Sequence, residues 1–164
     1  MNFLNRIIAE IPRGLLIACI LIEYPSVNAQ VNPVFQPYYN EYMSLVKKNC
    51  NSGYKNPLVV TIHFDDLTSL GYVGVTVSYD YEIIVTKSII HYSDVAIDEK
   101  DWNRSNDDNR FALIAHELTH AYFDYPDLKQ QKNHGHFMFF RKEPLKRKDV
   151  ESQLNSLLRD LCHK

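Results

Sequence analysis

The chain has 164 residues, 45% of them apolar and 23% charged, which is enough for one domain around a sizeable core and too apolar for a disordered chain. Its formal net charge of −2 argues against a basic protein held to nucleic acid by its overall charge. Eleven Tyr and eight Phe point to a packed interior.

Residues 1–29 read as a targeting segment. Arg6 and Arg13 precede an apolar run, Gly14-Leu15-Leu16-Ile17-Ala18-Cys19-Ile20-Leu21-Ile22, and Val27-Asn28-Ala29 offers a cleavage site ahead of Gln30. The run is too short to cross a membrane comfortably. The expectation is therefore a signal peptide and an exported mature chain, secreted or periplasmic, with no transmembrane span. Glu10 is awkward in such a leader, and a buried N-terminal helix is the alternative. A lipid anchor at Cys19 is disfavoured because apolar residues follow it. Removal of the leader leaves Cys50 and Cys162, an even pair that suits one disulfide in an oxidising compartment. Two buried free thiols fit the sequence equally well.

Residues 30–36 form a polar lead containing Pro33. Residues 37–50 predict a helix, with Pro37 in the first turn and Tyr38, Tyr42, Leu45 and Val46 as its apolar stripe. Asn51-Ser52-Gly53 ends it. Residues 58–64, rich in β-branched side chains, predict a strand. Residues 72–79 predict a second strand and residues 81–86 a third that can extend to Ile90, with Asp80 at the hairpin tip between them. Residues 94–109 are polar and read as a loop anchored by Trp102; Asn103-Arg104-Ser105 within it is a glycosylation sequon.

Residues 109–124 carry the most informative feature, His116-Glu117-Leu118-Thr119-His120. Phe111, Ile114 or Ala115, Leu118, and Ala121 or Tyr122 recur at helical spacing, so the segment predicts an amphipathic helix. Ser105-Asn106-Asp107-Asp108 supplies its capping signal. Residues four apart share a helix face, so both imidazoles can reach one ion, and Glu117, about 100° round the helix from His116, can act beside it. Two neutral nitrogens with an adjacent carboxylate are the donor set and base that metal-assisted hydrolysis requires. Taken alone, the five-residue pattern also fits two ordinary histidines on a helix.

A third ligand is needed. Thirteen residues lie between His120 and His134, enough to leave the helix, turn at Tyr125-Pro126-Asp127 and return beneath the pair. His134 and His136 are the first candidates, with Asp127 and Glu143 as oxygen donors ranked below them. Asp124, one turn past His120, reads as a helix-end carboxylate in water, with a hydrogen bond to a ligand imidazole as the alternative. Seven Lys or Arg against two acids between Asp127 and Lys148 read as a solvated basic loop, with a basic rim near the site that attracts acidic substrates or polyanions as the alternative. Residues 148–162 predict a closing helix with Val150, Leu154, Leu157, Leu158 and Leu161 on its buried face.

The run His116-Glu117-Leu118-Thr119-His120-Ala121-Tyr122, followed by His134-Gly135 and the aromatics Phe137 and Phe139, resembles SprT-like (Spartan-type) zinc metallopeptidases over roughly residues 111–140. The expected aromatic position after His134-Gly135 holds Met138, which leaves His136 open as a rival. The resemblance implies Zn²⁺ held by His116, His120 and His134, with Glu117 as general base. It also implies a small α+β zincin-like domain over residues 30–164. In that plan a three- or four-stranded, mostly antiparallel sheet packs on the motif helix between N- and C-terminal helices. Residues 81–86 are then the nominal edge strand for an extended substrate. A monomeric peptidase acting on a peptide or protein is the leading expectation, with Tyr125 a candidate oxyanion donor. A zinc amidase acting on another amide, such as cell-wall peptide, and a metal-stabilised binding or effector module without turnover are the alternatives.

Overall fold

The computed structural model describes residues 30–50, 58–83, 87–128, 136–138 and 145–162. The expected leader, residues 1–29, and His134 lie outside them.

Alternating side chains build the sheet. In β2 (Leu58–Asp65), Val60 and Ile62 are buried while Thr61 and His63 face outward. In β4 (Ser88–Asp98), Ser93, Val95 and Ile97 are buried. β1 (Gln30–Val31) and β3 (Gly74–Ile83) flank them, giving the order β1-β2-β4-β3. β1 pairs with β2, and β2 with β4, in parallel; only β3 and β4 run antiparallel.

The sheet is thus mixed, and the expectation of a mostly antiparallel one is corrected. The reason is topological. α1 (Gln36–Asn49) lies between β1 and β2, and a helical crossover joins neighbouring strands in parallel. β3 then lies outside β4 as a hairpin arm, which leaves β2 and β4 adjacent and parallel.

Two strand boundaries also differ from expectation. Residues 74–83 form one uninterrupted strand. Asp80 is not a turn residue: it sits opposite His91 and pairs with its Nδ1. Residues 94–98 belong to β4 and are not loop. The alternation of Asp94 and Ala96 outward with Val95 and Ile97 inward carried that signal, masked by the two aspartates.

α2 (Glu99–Arg104) follows, capped by Asp98, whose side chain accepts from the Asp101 N–H. Trp102 is 2% exposed and is the anchor expected there, edge-on to Phe35 and Tyr38. α3 (Asp107–Phe123) starts at Asn106, whose side chain accepts from the Asn109 N–H at 2.9 Å. It buries Phe111, Ile114, Ala115 and Leu118. α4 (Arg147–Cys162) buries Val150, Leu154, Leu157 and Leu158, each contributing roughly 1.5–3 kcal/mol relative to exposure.

α3 packs on β3 and β4 and against α1 and α4. Cys50, just past α1, forms a disulfide with Cys162 at the end of α4, with Cα atoms 5.2 Å apart. Arg147 is not a free basic rim residue: it pairs with Glu41 of α1 and, at 2.6 Å, with Asp107 of α3. No helix among the described residues is long and apolar enough to cross a membrane.

Candidate metal centre

α3 carries His116 and His120 on one face, and their Nε2 atoms come to 3.0 Å. Both rings are oriented from behind. His116 Nδ1 donates to the Phe137 carbonyl at 2.9 Å, and His120 Nδ1 to the Tyr125 carbonyl at 2.5 Å. Those carbonyls come from the chain that leaves α3 and returns beneath it. Asp124 makes the exit, turning into the left-handed region at φ 49°. The return is pinned by Leu128 N donating to Met138 O at 3.0 Å and by Phe137 N donating to Gln153 Oε1 of α4 at 2.8 Å.

With Nδ1 donating to a carbonyl, Nε2 is the nitrogen that carries the lone pair in the neutral form of each ring. Two lone pairs 3.0 Å apart repel unless positive charge lies between them. Asp127 Oδ1 sharpens that demand: it lies 3.1 Å from His116 Nε2 and 3.4 Å from His120 Nε2. A proton answers it in part. Burial pushes the His116 pKa down, but the Asp127 hydrogen bond and the Glu117 charge outweigh burial and raise it. A divalent cation answers it more fully. The three donor atoms lie within 4.8 Å of one another, and a nitrogen–nitrogen–oxygen set suits zinc. On this donor chemistry the residues fit such an ion.

Glu117 lies on the α3 face toward β3. It is 4% exposed, and its Oε2 accepts from Thr76 Oγ1 at 2.6 Å. Its Oε1 lies 2.6 Å from the position a Cβ on Gly74 would take. Burial raises the Glu117 pKa, with the His116 charge and the Thr76 hydrogen bond opposing. A carboxylate shifted upward is a stronger base for a water proton.

Of the expected site residues, the structure brings together His116, Glu117 and His120. Asp127, ranked below His134 from sequence, joins them. His134 lies outside the described residues, as does Glu143. His136 is not in the cluster: its Nδ1 accepts from Met138 N at 3.2 Å and its ring stacks on Phe137. Asp124 caps the helix, and the bond to the His120 imidazole comes from Tyr125 O instead. Tyr125 thus contributes its carbonyl.

Thr76 and Gly74 went unrecognised from sequence. Gly74 carried a cue, since a glycine inside a strand marks close approach by another group. Thr76 carried none, because threonine is ordinary in strands.

A cleft of about 1000 Å³ opens over Glu117 between α3 and the start of β3. Beside His120, Asp124 and Asp127, its lining mixes polar Thr68, Asp101, Ser105 and Asn109 with apolar Tyr72, Val73, Leu113 and Phe137. No family model, curated protein or solved structure matches this chain.

Proposed function

We propose that the protein is an exported zinc-dependent peptidase in which Glu117 is the general base. The observation that carries this reading is the convergence of His116 Nε2 and His120 Nε2, each imidazole held through Nδ1, beside a buried carboxylate. His116 and His120 would hold the ion, with Asp127 or His134 as third ligand. Zinc bound there supplies Lewis-acid polarisation of a carbonyl and makes water acidic enough to lose a proton near neutral pH. Glu117 takes the proton of the attacking water and delivers it to the leaving amine. Its Thr76 bond keeps the carboxylate from swinging away.

The SprT-like, zincin-type assignment is supported by the motif helix and by the antiparallel edge strand lying beside it. That strand is β3, whose site-facing residues are Gly74 and Thr76, N-terminal to the 81–86 stretch first nominated. Export is supported by the Cys50–Cys162 disulfide, which suits an oxidising compartment. The apolar run before Gln30 supports it too.

A second reading has one specific support. Asp127 already meets both imidazoles, so His134 joining it would give four protein ligands and a closed, structural site. That arrangement belongs to a metal-stabilised binding module.

Metal analysis of untagged protein, with fluorescein-labelled casein as substrate, separates the two. The peptidase reading expects one zinc per chain, cleavage by the wild type, and none by Glu117→Gln at unchanged zinc content. Cleavage retained by Glu117→Gln overturns the role of Glu117. Zinc without any hydrolysis favours the binding module.

A further inference from the structure

Phe137 carries the carbonyl that orients the His116 ring, yet it stands in a turn, where no helix or strand answers its own N–H. Phe137 is 3% exposed and Met138 is fully buried, so the backbone here needs a partner from the protein. That partner comes from α4. Gln153 Oε1 accepts from Phe137 N at 2.8 Å.

On α4, Gln153 lies three positions after Val150 and four before Leu157, on the flank of the stripe that packs inward. For packing alone an unbranched apolar side chain would serve there. Glutamine adds an acceptor oxygen at the end of a chain of the same reach. α4 is also fastened near both ends. Arg147 pairs with Glu41 and Asp107 at its start, and Cys162 is joined to Cys50 at its end. The acceptor is thus held out from a fixed element.

Two hydrogen bonds act on one residue. With its N–H bound to Gln153, its carbonyl to His116 and its side chain buried, Phe137 keeps little freedom in φ or ψ. Loss of the Gln153 acceptor leaves a buried N–H unpaired, and the turn must shift to satisfy it. Such a shift moves the Phe137 carbonyl away from His116 Nδ1. His120 is insulated from it, because its Nδ1 bonds the Tyr125 carbonyl instead.

We propose that Gln153 is a positioning residue for the metal centre, which through Phe137 orients the His116 ring and not the His120 ring. The inference rests on the metal-ligand role given to His116 above. It extends the site to a helix that contributes none of its donor atoms.

The test uses the full mature chain, untagged, as wild type, Gln153→Met and Gln153→Glu. Methionine keeps the length and helix preference of glutamine and removes the acceptor, whereas glutamate keeps an acceptor oxygen. Zinc affinity is read by competition with a chelator, and the Nδ1–H protons of His116 and His120 by NMR. Gln153→Met should bind zinc about tenfold more weakly, and Gln153→Glu should stay within about threefold of the wild type. The His116 Nδ1–H should exchange faster with water in Gln153→Met while the His120 Nδ1–H is unchanged. Wild-type zinc affinity in Gln153→Met, equal weakening in both variants, or the same change at both imidazoles overturns the proposal. If the wild type binds no zinc, the metal reading falls, and the proposal falls with it. Zinc binding that depends on Gln153 in a chain that cleaves no casein keeps the proposal and removes the peptidase reading.

Discussion

Thr76 Oγ1 donates to Glu117 Oε2 across 2.6 Å, joining the edge strand to the motif helix. The hydroxyl also lies 3.1 Å from the Glu117 carbonyl, so one side chain touches both ends of the glutamate. Replacing Thr76 by Val keeps the branched shape and removes the donor. A hydrogen bond to a charged group is worth about 1.5–3 kcal/mol. Thr76→Val should therefore cut casein cleavage tenfold or more with zinc content unchanged, and Thr76→Ser should restore most of it. Equal rates for Val and Ser would deny Thr76 any hold on the carboxylate.

Gly74→Ala tests the same relationship from the other oxygen. The new methyl would stand 2.6 Å from Glu117 Oε1 and 3.0 Å from Leu113 Cδ1, so the carboxylate must move. Cleavage should fall by at least tenfold, with only a few degrees lost from Tm because both neighbours are side-chain ends. Unchanged kcat/KM would show that the carboxylate tolerates displacement.

The third ligand can be assigned by metal affinity. Asp127→Ala and His134→Ala should each be compared with His136→Ala. His136 stands outside the cluster, so its loss should leave zinc content unchanged. If Asp127 is a ligand, its removal should weaken zinc binding and lower Tm in limiting zinc, because an ion bound only by the folded state stabilises it. Unaltered zinc affinity in Asp127→Ala would leave the place to His134.

The Cys50–Cys162 disulfide spans 112 positions and ties the far ends of α1 and α4 together. Cross-linking so long a loop restricts the unfolded chain and contributes about 2–5 kcal/mol. Cys50→Ser with Cys162→Ser should lower the unfolding free energy by that much, read as an earlier denaturant midpoint, while leaving zinc content intact. Identical midpoints with and without reductant would mean that the bond adds nothing.

Asp98 makes an acid-sensitive joint. Its buried carboxylate accepts from Asp101 N, Leu67 N and Thr68 Oγ1, and the Asp101 N–H leads in holding its pKa below the usual range. A depressed carboxylate stabilises the fold above its unfolded pKa, and that contribution is lost as pH falls through the folded value. Asp98→Asn should therefore lower Tm at neutral pH and flatten the acid side of the Tm–pH curve. A parallel downward shift at every pH would mean that the charge has no part in it.

Local pattern determined the parts of this protein that depend on near neighbours. The apolar stripes of Tyr38–Tyr42–Val46, Phe111–Ile114–Leu118 and Val150–Leu154–Leu157 place three helices, and helical pitch alone puts His116 and His120 on one face. What needed the tertiary structure is set by contacts distant in sequence. Strand order and direction follow from how crossovers pack, so the parallel pairing of β2 and β4 was hidden in a run of strand-like segments. Thr76 meets Glu117 across 41 positions, and nothing in either local segment anticipates the contact. Asp127 reaches the imidazoles because the chain turns at Asp124 and is pinned by Phe137 and Met138. A helical period is an intrinsic property of a short peptide, whereas the meeting of two side chains across a cleft is decided only when the whole core has closed.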